Sequence, residues 1–179
     1  MATQGPMVAM DMAAFSARLF DSRELAPRAR LAAQAVRDLL PGTGINIYLL
    51  GDQAGERVWT PQATVGDVSV LEASLPLEHG VLGTWAGNPE PLVLSGKQLL
   101  REEYSHLHVR RTLQSLAYLP LNARGSLVGT IEIVSFDGEL GTDGLSGLLP
   151  VAEVMASALA SATRWRSPPD SSPGRCLRR

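Results

Sequence analysis

Residues 113–136 read LQSLAYLPLNARGSLVGTIEIVSF, two apolar runs, Ser115–Asn122 and Leu127–Phe136, joined by the polar connector Ala123-Arg124-Gly125-Ser126. A connector of that composition between two β-rich runs predicts a hairpin. Downstream, Asp137-Gly138 and Gly141-Thr142-Asp143-Gly144 lead into Leu145–Trp165, where apolar residues recur at helical spacing. Strand, turn, strand and helix in that order place the C-terminal half of one α+β domain.

The length of 179 residues, with 45% hydrophobic and 19% charged residues, suits a single globular domain with its own core. No stretch approaches the roughly 20 uninterrupted apolar residues of a membrane-spanning helix. Met1–Met12 contains Asp11 and no basic cluster, so it does not read as a secretory signal. A cytoplasmic protein with no membrane partner is expected. Cys176 is the only cysteine, which excludes an internal disulfide and a cysteine zinc cage and leaves no cysteine nucleophile in the folded part. The net charge of −2 is unevenly spread: residues 164–179 carry five arginines and one aspartate, and the remainder carries 11 basic and 17 acidic residues. An acidic body of this kind advertises no nucleic-acid surface, and the basic tail reads as a solvated end.

Upstream, Met12, Phe15, Leu19 and Phe20 predict a helix over Met10–Phe20, and Leu25 through Leu40 predicts a second, with Pro27 in its first turn and Pro41-Gly42-Thr43-Gly44 ending it. Asp21 or Ser22 is its candidate cap. Ile45–Leu50 and Arg57–Thr60 predict an opening hairpin around Gly51–Gly55. Between them and the C-terminal half, the pattern predicts a strand over Val70–Leu77, a short helix over Gly80–Ala86, a strand over Pro91–Leu94 and helical turns over Lys97–Tyr104. The expected organisation is a helical extension over 1–23, one domain over 24–164 and a disordered Pro/Ser/Arg-rich tail over 165–179.

Several segments together carry a family resemblance: Leu75-Pro76-Leu77 before Gly80-Val81-Leu82-Gly83-Thr84-Trp85, Pro89-Glu90-Pro91-Leu92-Val93-Leu94, Ser115–Leu121, Leu127–Ile133 and Leu148–Leu159. In that order and spacing, over about Leu25–Thr163, the chain resembles a GAF domain. The resemblance implies an α+β fold, with a central antiparallel sheet, N- and C-terminal helices on one face and irregular pocket-forming segments on the other. It also implies a sensor or dimerisation module of bacterial signalling proteins.

Strand alternation agrees with a two-faced sheet. Leu127, Gly129, Ile131 and Ile133 share one face of their strand, and Val128, Thr130, Glu132 and Val134 share the other. The first strand divides into Ile45, Ile47, Leu49 and Asn46, Tyr48, Leu50. With helices on the apolar faces, the opposite face presents Asn46, Tyr48, Thr130 and Glu132, joined by Tyr118, and that mixture suits a ligand pocket. The competing reading is a face merely covered by the middle segments or wetted. Trp59, Trp85 and Tyr104 lie in segments that the resemblance places near the pocket, where a ring with a polar tip can orient a ligand, although core packing would use them equally.

Other constellations offer less. His106-x-His108, beside Arg110 and Arg111 and without a carboxylate cluster, reads as a surface segment rather than a metal or haem site, and His79 beside Glu78 reads as local hydrogen bonding. Gly80, Gly83 and Gly87 lack the dinucleotide spacing, and no Walker motif, G-x-S-x-G elbow or nucleophile–base–acid set is present. Within the resembled family, bilin-attaching members need a pocket cysteine, members that reduce free methionine sulfoxide need several, and cyclic-nucleotide binders carry an Asn-Lys-Phe-Asp-Glu signature that a chain with only Lys97 does not match.

The expectation is a GAF-like regulatory domain without catalysis, sensing an unidentified small molecule and acting either on a separate effector protein or as a piece of a longer chain. No cofactor is specified and no metal is expected. Small residues on the last helix, Ala158, Ser161 and Ala162, point to a homodimer through the terminal helices. The alternative is an interaction or dimerisation module with no ligand.

Overall fold

Arg124 and Gly125 both adopt positive φ, 54° and 76°, the geometry of a two-residue turn whose twist matches that of its flanking strands. They join strand β7, Ser115–Ala123, to β8, Ser126–Ser135. The opening hairpin repeats the device: Ala54 and Gly55, at φ 55° and 86°, join β1, Thr43–Gln53, to β2, Glu56–Val65. A computed structural model describes residues 10–164. The tail expected over 165–179, with Trp165 and Cys176, lies outside the described residues.

β1 and β8 pair antiparallel, so the two hairpins fuse into a six-stranded sheet in the order β4-β2-β1-β8-β7-β5. Its outer strands are β4, Leu75–Pro76, and β5, Leu92–Ser95. A second, two-stranded sheet pairs β3, Val68–Val70, with β6, Leu107–Val109.

One face of the large sheet carries the helices: α1, Met12–Asp21, α2, Leu25–Leu39, and α5, Leu149–Arg164. Asp11 caps α1, its Oδ1 accepting from the amides of Ala13 and Ala14 at 3.0 and 3.1 Å. α2 lies over β1 and β2, and α5 over β7 and β8. Ala29, Ala32, Ala33 and Val36 of α2 and Ala152, Met155, Ala156 and Leu159 of α5 are buried against Ile45, Ile47, Leu119, Ile131 and Ile133. Alanine at the contact lets the helices approach the sheet closely. A second core on the opposite face gathers Tyr48, Trp59, Leu82, Trp85, Leu107, Leu116 and Tyr118. It is roofed by residues 66–113, which include α3, Leu82–Trp85, and two 3₁₀ turns, Gly96–Gln98 and Arg101–Tyr104.

The structure departs from sequence expectation where pairing is irregular. β2 continues past Thr60 to Val65, because Gln62 bulges out opposite Ile47 and Tyr48 and thereby accommodates Pro61, which has no N–H to give. A second irregularity, between Leu121 and Asn122, makes Val128 the extra residue of β8, so Leu127 packs toward the second core and Val128 toward the helices, the reverse of strict alternation. The strand expected over Val70–Leu77 is two short strands, β3 and β4, in different sheets. The last helix is broken into α4, Thr142–Ser146, and α5. Neither Asp21 nor Ser22 caps α2: its N-cap position is Glu24, without a side-chain cap. The small residues offered as a dimer contact are used within the chain, since Ala158 and Ala162 are buried in the helical core and Ser161 accepts a hydrogen bond from Arg28.

Candidate functional site

Glu132 is fully buried in the middle of β8, on the face away from the helices. Cross-strand register sets Asn46 of β1 opposite it on one side and Tyr118 of β7 on the other. Tyr48 lies two residues along β1, on the same face. Four donors converge on the carboxylate. Asn46 Nδ2 donates to Oε2 at 2.7 Å, the Tyr48 hydroxyl to Oε2 at 3.2 Å, the Tyr118 hydroxyl to Oε1 at 3.1 Å, and His106 Nε2–H to Oε1 at 2.7 Å. Four donors occupy about the full accepting capacity of an ionised carboxylate. Among the described residues its ion-pair partner is His106, with no lysine or arginine in reach.

The cluster continues outward. His106 Nδ1 and His79 Nε2 are 2.9 Å apart, their rings nearly perpendicular at 88°. With Nε2–H of His106 given to Glu132, Nδ1 of the neutral ring accepts, so His79 Nε2–H donates. His79 is half-buried, and a line of three titratable groups therefore runs from the sheet toward solvent. Burial, reinforced by the His106 imidazole, pushes His79 below its ordinary value despite the opposing carboxylates of Glu132, Glu103 and Glu72. Burial and the Glu132 carboxylate raise both Tyr48 and Tyr118 well above the usual phenol value, so both hydroxyls stay protonated donors.

Aromatic rings wall the cluster. Trp85 lies 6.0 Å from Tyr118 and 6.3 Å from Trp59, ring centre to ring centre. Their indole N–H groups tie the roof down: Trp59 donates to the Leu77 carbonyl at 3.2 Å and Trp85 to the Glu90 carbonyl at 2.6 Å. Asn46 Oδ1 is the one buried side-chain polar atom without a partner among the described residues. An unsatisfied acceptor beside a carboxylate leaves a place for an N–H or O–H donor.

Of the eight residues chosen from sequence, Asn46, Tyr48, Tyr118 and Glu132 form the polar cluster, and Trp59 and Trp85 stand around it. Thr130 shares the face and is buried, but its hydroxyl donates to the Leu119 carbonyl at 3.2 Å. Tyr104 sits half-buried at the margin, its ring 4.9 Å from the Arg101 guanidinium. The sequence reading missed His106 and His79. His106 is not part of a surface segment: it is 1% exposed, whereas His108 in β6 points outward. Its partners come from β8 and from the turn before α3, and only the adjacency of Leu107, a buried position, signals that the segment dips into the core. No group of three or more His, Cys, Asp and Glu side chains that could hold a metal ion is found among the described residues.

No protein-family model matches the sequence, and no curated protein matches it. Solved structures do resemble it. The GAF domain of a phosphoenolpyruvate-protein phosphotransferase from Acinetobacter is 19% identical over 87% of this chain and 97% of that one, with a TM-score of 0.64. The free methionine-R-sulfoxide reductase of Neisseria meningitidis, solved with its substrate, is 15% identical over 92% and 99% of the two chains, with a TM-score of 0.66. A type II free methionine-R-sulfoxide reductase from Thermoplasma acidophilum is 17% identical over 84% and 96%, with a TM-score of 0.60. The fold is GAF-like. The expectation that the chain is not an enzyme is corrected by the same neighbours: two of them are reductases, so this fold carries catalysis as well as binding.

Proposed function

We propose that this GAF-like domain is a regulatory sensor in bacterial signalling, and that it binds a small molecule on the sheet face centred on Glu132. The observation that carries the reading is a buried carboxylate beside an unsatisfied amide oxygen, Asn46 Oδ1, walled by Trp59, Trp85 and Tyr118. When the roof lifts, that face offers acceptors and aromatic surface. Its ligand would bring N–H donors, as an ammonium or amide, on a body able to stack against rings. The likeness of fold to the Acinetobacter GAF domain supports reading the chain as a GAF-like module.

Signalling would follow from differential affinity: a ligand that binds with the roof displaced shifts the population toward that state, and an effector protein reads the change. A homodimer belongs to the same reading. α1 leaves Ala13, Ala17 and Phe20 exposed in a stripe at helical spacing, and sedimentation would report its self-association.

A specific observation favours a second reading, an interaction module without ligand. The site is closed, with all four donors spent on Glu132. Native mass spectrometry of the protein from a bacterial host separates the two. A co-purified small molecule lost in Glu132→Gln supports sensing. If none is bound, and a panel of free amino acids and nucleobases neither raises Tm nor alters Trp59 and Trp85 fluorescence, the interaction module stands. A ligand at about a hundred times its Kd would add about 2.7 kcal/mol of stability.

A further inference from the structure

We propose that Glu132, His106 and His79 form a proton-operated latch, which holds the two roof segments, residues 76–86 and 101–109, against the sheet and lets them go on acidification. The role of the latch in admitting ligand rests on the sensing reading above; the opening itself does not.

At its centre the roof is tied to the sheet through side chains. His106 joins the second segment to β8 through Glu132, and His79 joins the first segment to the second through His106. Alongside, Glu103 accepts from the Val81 amide at 2.7 Å, and at the margins the Leu77 carbonyl accepts from Trp59, the Leu77 amide donates to the Arg57 carbonyl and the Leu71 amide to the His106 carbonyl. Gly80 makes the approach of Glu103 feasible, since it turns at φ 51° and a Cβ there would lie 2.7 Å from the Glu103 carboxylate. Local hydrogen bonds over residues 77–86 are single turns, such as His79 N to Pro76 O and Leu82 N to His79 O, both 3.0 Å, whereas Leu107–Val109 of the second segment pairs with β3. Such segments open locally at less cost than the strands beneath them.

Proton capacity gives the latch its direction. The facing nitrogens of His79 and His106 share one hydrogen. An added proton goes to the outer nitrogen of His79, where burial and the His106 ring disfavour the charge. The closed pair has room for three hydrogens on its four ring nitrogens and the separated pair for four, because a 2.9 Å contact between two N–H donors cannot persist. The groups around His79 are the carboxylates of Glu132 on β8, Glu103 in the second 3₁₀ turn and Glu72 before β4, together with the His106 ring; the phenols of Tyr48 and Tyr118 lie deeper, on Glu132. Burial and His106 outweigh those carboxylates, so His79 in the closed state protonates below the ordinary histidine value of 6.5. The open state, with His79 in water, then binds more protons. Closure is at full strength above pH 6.5 and weakens as the pH falls below it.

Hydrogen exchange on the full chain without ligand tests this, comparing pH 7.5 with pH 5.5 after correction for intrinsic rates. Protection over residues 76–86 and 101–109 is expected to fall by up to about tenfold per pH unit for one linked proton, while β1 and β8 hold theirs. His79→Gln and His79→Phe should each flatten the response. In the wild type, the His79 ring resonances should titrate below pH 6.5 with the midpoint of opening. Equal protection at both pH values, or an undiminished response in both variants, overturns the latch. Ligand binding with no acid-dependent opening sinks the latch and spares the sensor; acid-dependent opening with no ligand found does the reverse.

Discussion

The Glu132 carboxylate and the His106 imidazole, 26 residues apart in sequence, meet at 2.7 Å with side chains 0% and 1% exposed. Burying a charge costs several kcal/mol unless hydrogen bonds replace the lost water, and here three more donors complete the shell. Strands β1, β7 and β8 and the roof therefore depend on one side chain for their polar satisfaction. Glu132→Gln keeps the shape but puts an amide N–H among donors. It is expected to lower stability by about 3–5 kcal/mol in urea unfolding, the cost of breaking a buried pair. A change within experimental error would mean that the carboxylate does not organise this face.

Tyr48 and Tyr118 give the same cluster an alkaline signature. Each phenol is held above the ordinary tyrosine value of 10.0 in the folded chain, by burial first and by the neighbouring carboxylate second. An unfolded chain ionises them near 10, so the stability they lend is whole below pH 10 and is lost as the pH climbs beyond it. Unfolding followed between pH 8 and 11.5 should steepen above 10 in the wild type, and Tyr118→Phe should flatten that limb. An identical limb in the variant would place the alkaline transition elsewhere.

The sheet and four of the six cluster residues were legible in the sequence because both follow from local rules. Arg124-Gly125 can take two positive φ values, and alternation along β1 and β8 puts Asn46, Tyr48 and Glu132 on one face whatever else the chain does. The roof obeys no such rule. β3 is three residues long and exists because Val68 finds Val109 across the whole middle of the chain. His79 and His106 are brought together by that packing rather than by any spacing, so their partnership had no periodic signal. Leu127 and Val128 were misassigned for a related reason: a bulge shifts the face without changing the composition.

Gly129 is required by a contact rather than by its backbone angle. It lies opposite Leu49 of β1 and Leu121 of β7, and a Cβ there would run into the Tyr48 carbonyl oxygen and come within 2.9 Å of the Leu49 side chain. Gly129→Ala must push β1 from β8 next to Tyr48. The expected loss is about 1–3 kcal/mol, as for overpacking. Because the strain lands beside the cluster, Tyr48 and Asn46 amide resonances should shift more than those of α5. Shifts spread evenly over the domain would refute this localisation.

Arg28 does for the helical layer what Glu132 does for the opposite face. Its side chain, 5% exposed, reaches across from α2: Nε donates to the Ser22 carbonyl at 3.0 Å, just past α1, and Nη1 donates to Ser161 Oγ at 2.7 Å and to the Ala158 carbonyl on α5. The Phe20 ring lies 5.7 Å from the guanidinium. The Ser22 carbonyl lies at the C-terminus of α1, where the dipole favours a cation. Arg28→Met keeps the apolar stem and removes the fork. It is expected to cost about 1.5–3 kcal/mol, the range for hydrogen bonds to a charged group. The loss should be read most strongly at α1, whose amide protection should drop while α5 stays protected by the sheet. Arg28→Lys should recover only part of it, because one ammonium on a flexible stem cannot serve acceptors on α1 and α5 with a planar fork's geometry. Full recovery by lysine would show that charge near the helix ends, and not the bridging geometry, holds α1 in place.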